Sequence, residues 1–206
     1  MGEAVFTIGH STHSVEKLVD LLARHQISAI ADVRSQPYSR MNPQFNREAL
    51  QAALKASGIS YVFMGRELGA RTDDRSCYIG GKVQYDLLAQ TQPFQEGLDR
   101  VSQGSAKHRI ALMCAEKDPL TCHRTILVCK HLVARGHDVQ HILESARLES
   151  HGAAMARLMS ELGMAERDLF KSREELEREA YARRGEQIAY VEKQPPAEKA
   201  TRGLAR

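Results

Sequence analysis

In the first 145 residues, short β-rich runs alternate with longer amphipathic ones, and this alternation directs the chain toward an α/β fold with a parallel sheet. The strand candidates are Val5 to Ile8, Ala29 to Val33, Ser60 to Phe63, Ile110 to Cys114 and Val139 to Leu143. Between them, Val15 to His25 carries Val15, Leu18, Val19, Leu21 and Leu22 at helical spacing. Asn46 to Ser57 opens on an N-cap residue and stops before Gly58. Pro93 suits the first turn of a helix reaching Ser102, while Asp118-Pro119 suits the cap and first position of another that Gly136 ends. The expected architecture is a three-layer, Rossmann-like open parallel sheet of about five strands. Strand order 3-2-1-4-5 is favoured because it sets the turn after the first strand beside the end of the fourth; 2-1-3-4-5 is the competitor.

The segment Gly65 to Lys82 has four basic residues and little periodicity. It reads as a long loop, either a lid or binding loop or an irregular surface excursion. Beyond a core at residues 1–145, helix formers and charge dominate residues 146–193, where Ala153 to Leu162 and Ser172 to Ala182 read as helices of an appendage packed on the core. Residues 194–206 hold two prolines and almost no large apolar side chain, the composition of a disordered tail. With 206 residues and 42% hydrophobic content, the chain can bury one such core, and a net charge of +3 does not by itself identify a nucleic-acid-binding protein. Four cysteines without a CxxC pair, in a chain of this length, argue against a disulfide scaffold and for a reducing cytoplasm. No basic flank precedes an apolar N-terminal run and no stretch of ~18 apolar residues occurs, so neither a signal peptide nor a membrane span is expected.

Ligands of open parallel sheets bind outside the carboxyl ends of the strands. The first strand is followed here by Gly9-His10-Ser11-Thr12-His13-Ser14, the second ends in Asp32-Val33-Arg34, the third runs into Gly65-Arg66-Glu67-Leu68-Gly69, and the fourth into Cys114-Ala115-Glu116. A short loop then reaches Cys122-His123-Arg124 at the start of a helix. Glu116, following a buried strand, suits an acid/base role, and Asp32 is the second carboxylate to consider, with loop bracing of Arg34 as its structural reading. Cys122 in a first helical turn near Arg124 can be favoured as thiolate, and Cys114 at the strand end is a second nucleophile candidate. Cys122, Ile126, Cys129 and Val133 fall on one stripe of that helix, which makes Cys129 a core residue and directs His123 and Arg124 to the opposite, polar side. Cys77 has no assignable role. Arg34, Arg66 and Arg124, with free helix N–H groups, suit an anion such as phosphate, although no glycine-rich phosphate fingerprint is present. Cys114, Glu116, Cys122, His123 and His10 are legitimate metal-ligand types, but their spacing matches no standard zinc pattern and no metal is assigned.

With GHSTHS, DVRSQPYSRMNPQFN, GRELGAR and CAEKDPLTCHR in this order, the chain resembles the bacterial family known only as domain of unknown function 488, over roughly Val5 to Val191. The resemblance implies a Rossmann-like α/β core and a cytoplasmic prokaryotic protein, and supplies no reaction, substrate or cofactor. Recurrent motif positions of that family fall here on Gly9, His10, Ser11, Asp32, Arg34, Asn42, Pro43, Phe45, Leu68, Gly69, Cys114, Glu116, Cys122, His123 and Arg124. A fainter likeness is to rhodanese-type sulfurtransferases, through Asp32-Val33-Arg34 after one strand and Cys114 ending a later one. The chain departs from that pattern: no glycine lies between Cys114 and Arg124, and Leu120 stands where a Cys-x5-Arg phosphatase has its arginine.

These residues together predict a site for a phosphate-bearing or nucleotide-like ligand at the carboxyl edge of the sheet. Glu116, Asp32, Cys122 and Cys114 are the catalytic candidates; Gly9, His10, Ser11, Arg34, Arg66, Gly69, His123 and Arg124 are the ligand-binding ones. The alternatives are a sulfurtransferase, or a nucleic-acid-binding protein using the Arg34 to Arg47 and Gly65 to Lys82 segments to clasp phosphates. Cofactor and oligomeric state stay open.

Overall fold

The computed structural model describes residues 4–165 and 167–192. Its strands are β1 (Val5–Gly9), β2 (Ala29–Asp32), β3 (Ser60–Phe63), β4 (Tyr78–Ile79), β5 (Lys82–Val83), β6 (Ile110–Cys114), β7 (Val139–Ile142) and β8 (Leu148–Ser150). Six of them form one sheet in the order β3-β2-β6-β1-β7-β8, parallel except for β8. Numbered as five parallel strands, this is 3-2-4-1-5, not the expected 3-2-1-4-5 and not 2-1-3-4-5. The reason lies in β6: all five of its residues are apolar and buried, so it takes the middle of the sheet, whereas β3 exposes alternate residues and lies at the edge.

The helices are α1 (Val15–Arg24), α2 (Arg47–Ala56), α3 (Gly65–Leu68), α4 (Tyr85–Gln90), α5 (Gln92–Ser105), α6 (Lys130–Ala134), α7 (His151–Glu161) and α8 (Arg173–Ile188). Leu18, Leu21 and Leu22 of α1 and Leu50 and Leu54 of α2 cover one sheet face, packing on Phe6, Ile8, Ile30 and Met113. On the other face, α3 to α6 bury Leu68, Leu88, Phe94, Leu98 and Leu132 against Ala31, Leu112 and Val139. These are the three expected layers. No helix among the described residues is long and apolar enough to cross a membrane.

Three local expectations differ from the structure. The segment Gly65 to Lys82 is not one long loop but α3, a 3-10 turn at Arg75–Cys77 capped by Asp74, and the β4–β5 hairpin, whose Gly80 and Gly81 both have positive φ. Asp118 caps only a 3-10 turn, Pro119–Thr121, its carboxylate accepting the Leu120 N–H at 2.9 Å. The long helical run begins instead at Cys122 and opens as a π-helix, Arg124–Cys129, that continues into α6. All six residues of the π-helix are buried, since the run is covered by the sheet-face core on one side and by α7 and α8 at Ile126, and His123 and Arg124 are buried with them rather than facing water; Val133 is the exposed one. After β8, which joins the sheet edge, α7 and α8 pack over Leu120 and Ile126 through Met155, Leu158, Leu176 and Ala180. A capping box between Ser172 and Glu175 starts α8. The tail expected from Gln194 onward lies outside the described residues.

Candidate functional site

Parallel register sets the site. Gly9 of β1 lies opposite Cys114 of β6, Asp32 of β2 lies opposite Met113, and the Val33 N–H bonds the Met113 carbonyl. The turn after β1 is tied to the chain leaving β6 by the His10 N–H to Cys114 O and the Ser11 N–H to Ala115 O, both 2.9 Å. Only glycine fits at Gly9, since a Cβ there would stand 1.9 Å from the Glu116 carbonyl oxygen. Ser11 turns the chain in the left-handed region, φ +50°.

Where β6 ends, four chemically active side chains meet. The sulfurs of Cys114 and Cys122 and Nδ1 of His123 all lie within 4.8 Å of one another. Cys114 Sγ is 3.7 Å and Cys122 Sγ 3.9 Å from that nitrogen. His123 Nε2 donates to the Val33 carbonyl at 3.0 Å, which leaves Nδ1 turned toward the thiols. Cys122, at the N-cap of the helical run, receives the Arg124 N–H on its sulfur at 3.4 Å, and shares a 3.0 Å hydrogen bond with Glu116 Oε2. Cys114, Cys122 and His123 are buried, whereas Glu116 is exposed and turns its carboxylate inward.

The electrostatics follow from this packing. Burial opposes ionisation of Cys122, but the Cys114 hydrogen bond, the Arg124 charge and His123 outweigh it and hold the thiol well below its usual range. Burial and the neighbouring Cys122 push Cys114 well above its own. Desolvation where the Glu116 carboxylate turns inward, then the charge of Cys122, raise Glu116. Burial would lower His123, yet Cys122 and Glu116 raise it.

Cys114, Glu116, His123 and Arg34 line a cavity of about 170 Å3, together with Ser35, Gln36, Ala70, Ala115 and Arg71. The cavity shares Ser35, Gln36 and Arg71 with a broader groove of about 560 Å3 that carries Arg66, Arg75, Tyr78 and Tyr190. Arg71 stacks over the Tyr190 ring at 4.1 Å and makes no salt bridge among the described residues, and neither does Arg66.

The remaining expected residues brace the site. Asp32, fully buried, accepts Arg34 Nε at 2.9 Å and Nη2 at 2.6 Å, and the Tyr61 hydroxyl at 2.8 Å. Arg34 also reaches the Phe45 carbonyl and His10 Nε2, so only part of its guanidinium is left for a ligand. His10, donating Nδ1–H to the Ser11 carbonyl and stacked on Phe45, is held neutral at about 4 by burial and by Arg34. Arg124 is buried and spends its guanidinium on the Glu116 and Lys117 carbonyls. Gly69 lets the chain pass Ser35, whose Oγ would sit 2.4 Å from any added Cβ. No backbone N–H among the described hydrogen bonds points at the Cys114 sulfur, where a sulfurtransferase loop would supply several.

Arg71, Ser35, Gln36 and Tyr190 were missed in the sequence reading. Their signal was present in the motifs themselves: Arg71 ends GRELGAR, and Ser35-Gln36 follow Asp32-Val33-Arg34. Tyr190 comes from the far C-terminal segment, which returns to pair Val83 N–H with its carbonyl.

A family model described as domain of unknown function DUF488 matches residues 14–130, more than half of the 206-residue chain. No curated protein and no solved structure matches it. The matched span holds every expected site residue except the Gly9-His10-Ser11 turn, and the chain belongs to the DUF488 family.

Proposed function

We propose that the protein is an enzyme acting on a small anionic molecule, phosphate-bearing or nucleotide-like, bound at the carboxyl edge of the sheet. The observation that carries this reading is the convergence of Cys114, Glu116 and His123 on one cavity whose rim carries Arg71, an arginine without a carboxylate partner among the described residues. Arg71 and Arg66 hold the anionic part of the ligand, and the groove with Tyr78 and Tyr190 offers ring faces to an attached base or other planar group. Glu116, exposed yet hydrogen-bonded to Cys122, is the acid/base of this reading.

Nucleic-acid binding has less support, because two of the three arginines between residues 34 and 47 are engaged internally: Arg34 on Asp32, and Arg47 over the Phe63 ring at 4.8 Å. Calorimetry with inorganic phosphate, pyrophosphate and nucleoside mono-, di- and triphosphates tests the proposal. Saturable, weakly salt-dependent binding that weakens about tenfold in Arg71→Ala, or ~1.4 kcal/mol, is the expected result. Absence of binding by all of these probes, or binding only to oligonucleotides with a steep salt dependence, overturns it.

A further inference from the structure

We infer that Cys114, Cys122 and His123 form a binding site for a divalent ion of the zinc class, with one coordination position open to the cavity. Two sulfurs and an imidazole nitrogen within 4.8 Å of one another, at sulfur-to-nitrogen separations of 3.7 and 3.9 Å, are near the edge lengths of a tetrahedron around an ion bonded at about 2.0 to 2.3 Å. Thiolate and imidazole donors select zinc over magnesium or calcium, which take oxygen.

The surroundings are built for ligation. His123 donates Nε2–H to the Val33 carbonyl, the outer hydrogen bond that fixes the tautomer of a metal-binding histidine and aims the other nitrogen at the ion. The Arg124 backbone N–H rests on the Cys122 sulfur. The Arg124 guanidinium, 1% exposed, has only carbonyl partners, and its Nε has none among the described residues. A buried cation of this kind requires an anion close by, and ligating thiolates supply it. Three protein donors leave a fourth place vacant, and the cavity reaches two of them, Cys114 and His123, with Glu116 beside it.

The ion also resolves a difficulty in the proposed function. Of the cavity lining, the Cys114 sulfur and the Glu116 carboxylate oppose an anionic ligand, and a divalent ion bound by both thiolates cancels their charge, so that the anion meets a neutral metal site instead. The metal site does not depend on the ligand reading, and it is tested without any ligand present.

The test is titration of the reduced, metal-stripped full chain with Co2+, followed by displacement with Zn2+. The expected result is one equivalent of Co2+ giving sulfur-to-cobalt charge-transfer absorption and the intense visible bands of a tetrahedral site. The spectrum disappears on adding Zn2+, is lost in Cys122→Ser and in His123→Gln, and is kept in Cys77→Ser. Should the site variants not fold, as judged by circular dichroism, the wild-type chain is alkylated with and without Zn2+ and the peptides are mapped. Zinc then protects Cys114 and Cys122 together. A wild-type chain with no such spectrum, a spectrum that survives the loss of Cys122, or labelling of both cysteines that zinc leaves unchanged overturns the inference.

Discussion

A buried histidine pair and a single buried histidine lie in two regions of this molecule, and their ring nitrogens are engaged differently. In one, Thr7 Oγ1 bonds His141 Nδ1 at 2.8 Å, His141 Nε2 bonds His151 Nδ1 at 3.2 Å, and His151 Nε2 bonds the Tyr181 hydroxyl. Every ring nitrogen in that chain has a neutral partner, and the chain stitches β1 and β7 to α7 and α8. In the other, His123 is fixed at Nε2 and leaves Nδ1 among two sulfurs at the end of a cavity. The same burial gives opposite outcomes: His141 and His151 are pushed below the ordinary histidine value, whereas His123 is raised because its partners carry negative charge. A closed chain of satisfied polar groups joins strands to helices, whereas His123 is fixed at one nitrogen and turns the other toward two sulfurs.

The largest effect separating the two regions is expected on the site side. Gly9→Ala would place a Cβ against the Glu116 backbone and should cost about 3 kcal/mol in chemical denaturation, with loss of cobalt binding as the β6 turn is displaced. A cost below ~0.5 kcal/mol would mean that the turn relaxes freely and does not position the site.

A pH dependence comes next. Burial holds His151 at about 4 against an ordinary 6.5, with Glu177 opposing weakly. The unfolded chain therefore binds a proton near pH 6.5 that the folded chain refuses until about 4, so this contribution to stability is complete above 6.5 and lost as pH falls toward 4. Denaturation midpoints measured from pH 7 to 4 should fall, and His151→Phe should flatten the slope. An unchanged slope in the variant would place the titration elsewhere.

Tyr181→Phe removes one end of the closed chain and leaves His151 Nε2 without its partner, at a cost of about 1 to 3 kcal/mol, while Co2+ affinity stays the same. A change in Co2+ affinity would show that the two histidine groups are coupled. Arg71→Ala is expected to be the smallest in stability, within ~0.5 kcal/mol because the residue is exposed, with its effect confined to anion binding.

The layers were legible because apolar periodicity reports burial directly: Leu18, Leu21 and Leu22 face the sheet as their spacing requires. Strand order was not, since nothing local to Ile110–Cys114 says which neighbours it will have; only its uninterrupted apolar character hinted at the central place. At the site, the strand ends place Cys114 and Glu116 on one cavity, with Arg34 from the next strand. The Asp32–Arg34 brace was legible as one reading of the Asp32-Val33-Arg34 motif, whereas the carbonyls of Phe45, Glu116 and Lys117 that engage Arg34 and Arg124 leave no pattern in sequence. The π-helical opening at Arg124–Cys129 was invisible for a similar reason: nothing in RTILVC sets it apart from an α-helical run, and its partners, the sheet-face core for Leu127, Val128 and Cys129 and helices α7 and α8 for Ile126, are distant in sequence.

Histidine side-chain nitrogen NMR during a Zn2+ titration of the reduced chain tests the contrast most directly, since it reads both groups in one sample. The account predicts that the Nδ1 signal of His123 moves to the metal-bound position at one equivalent of zinc while the signals of His141 and His151 stay where they are. An unmoved His123, or zinc-dependent shifts at His141 and His151, would contradict it.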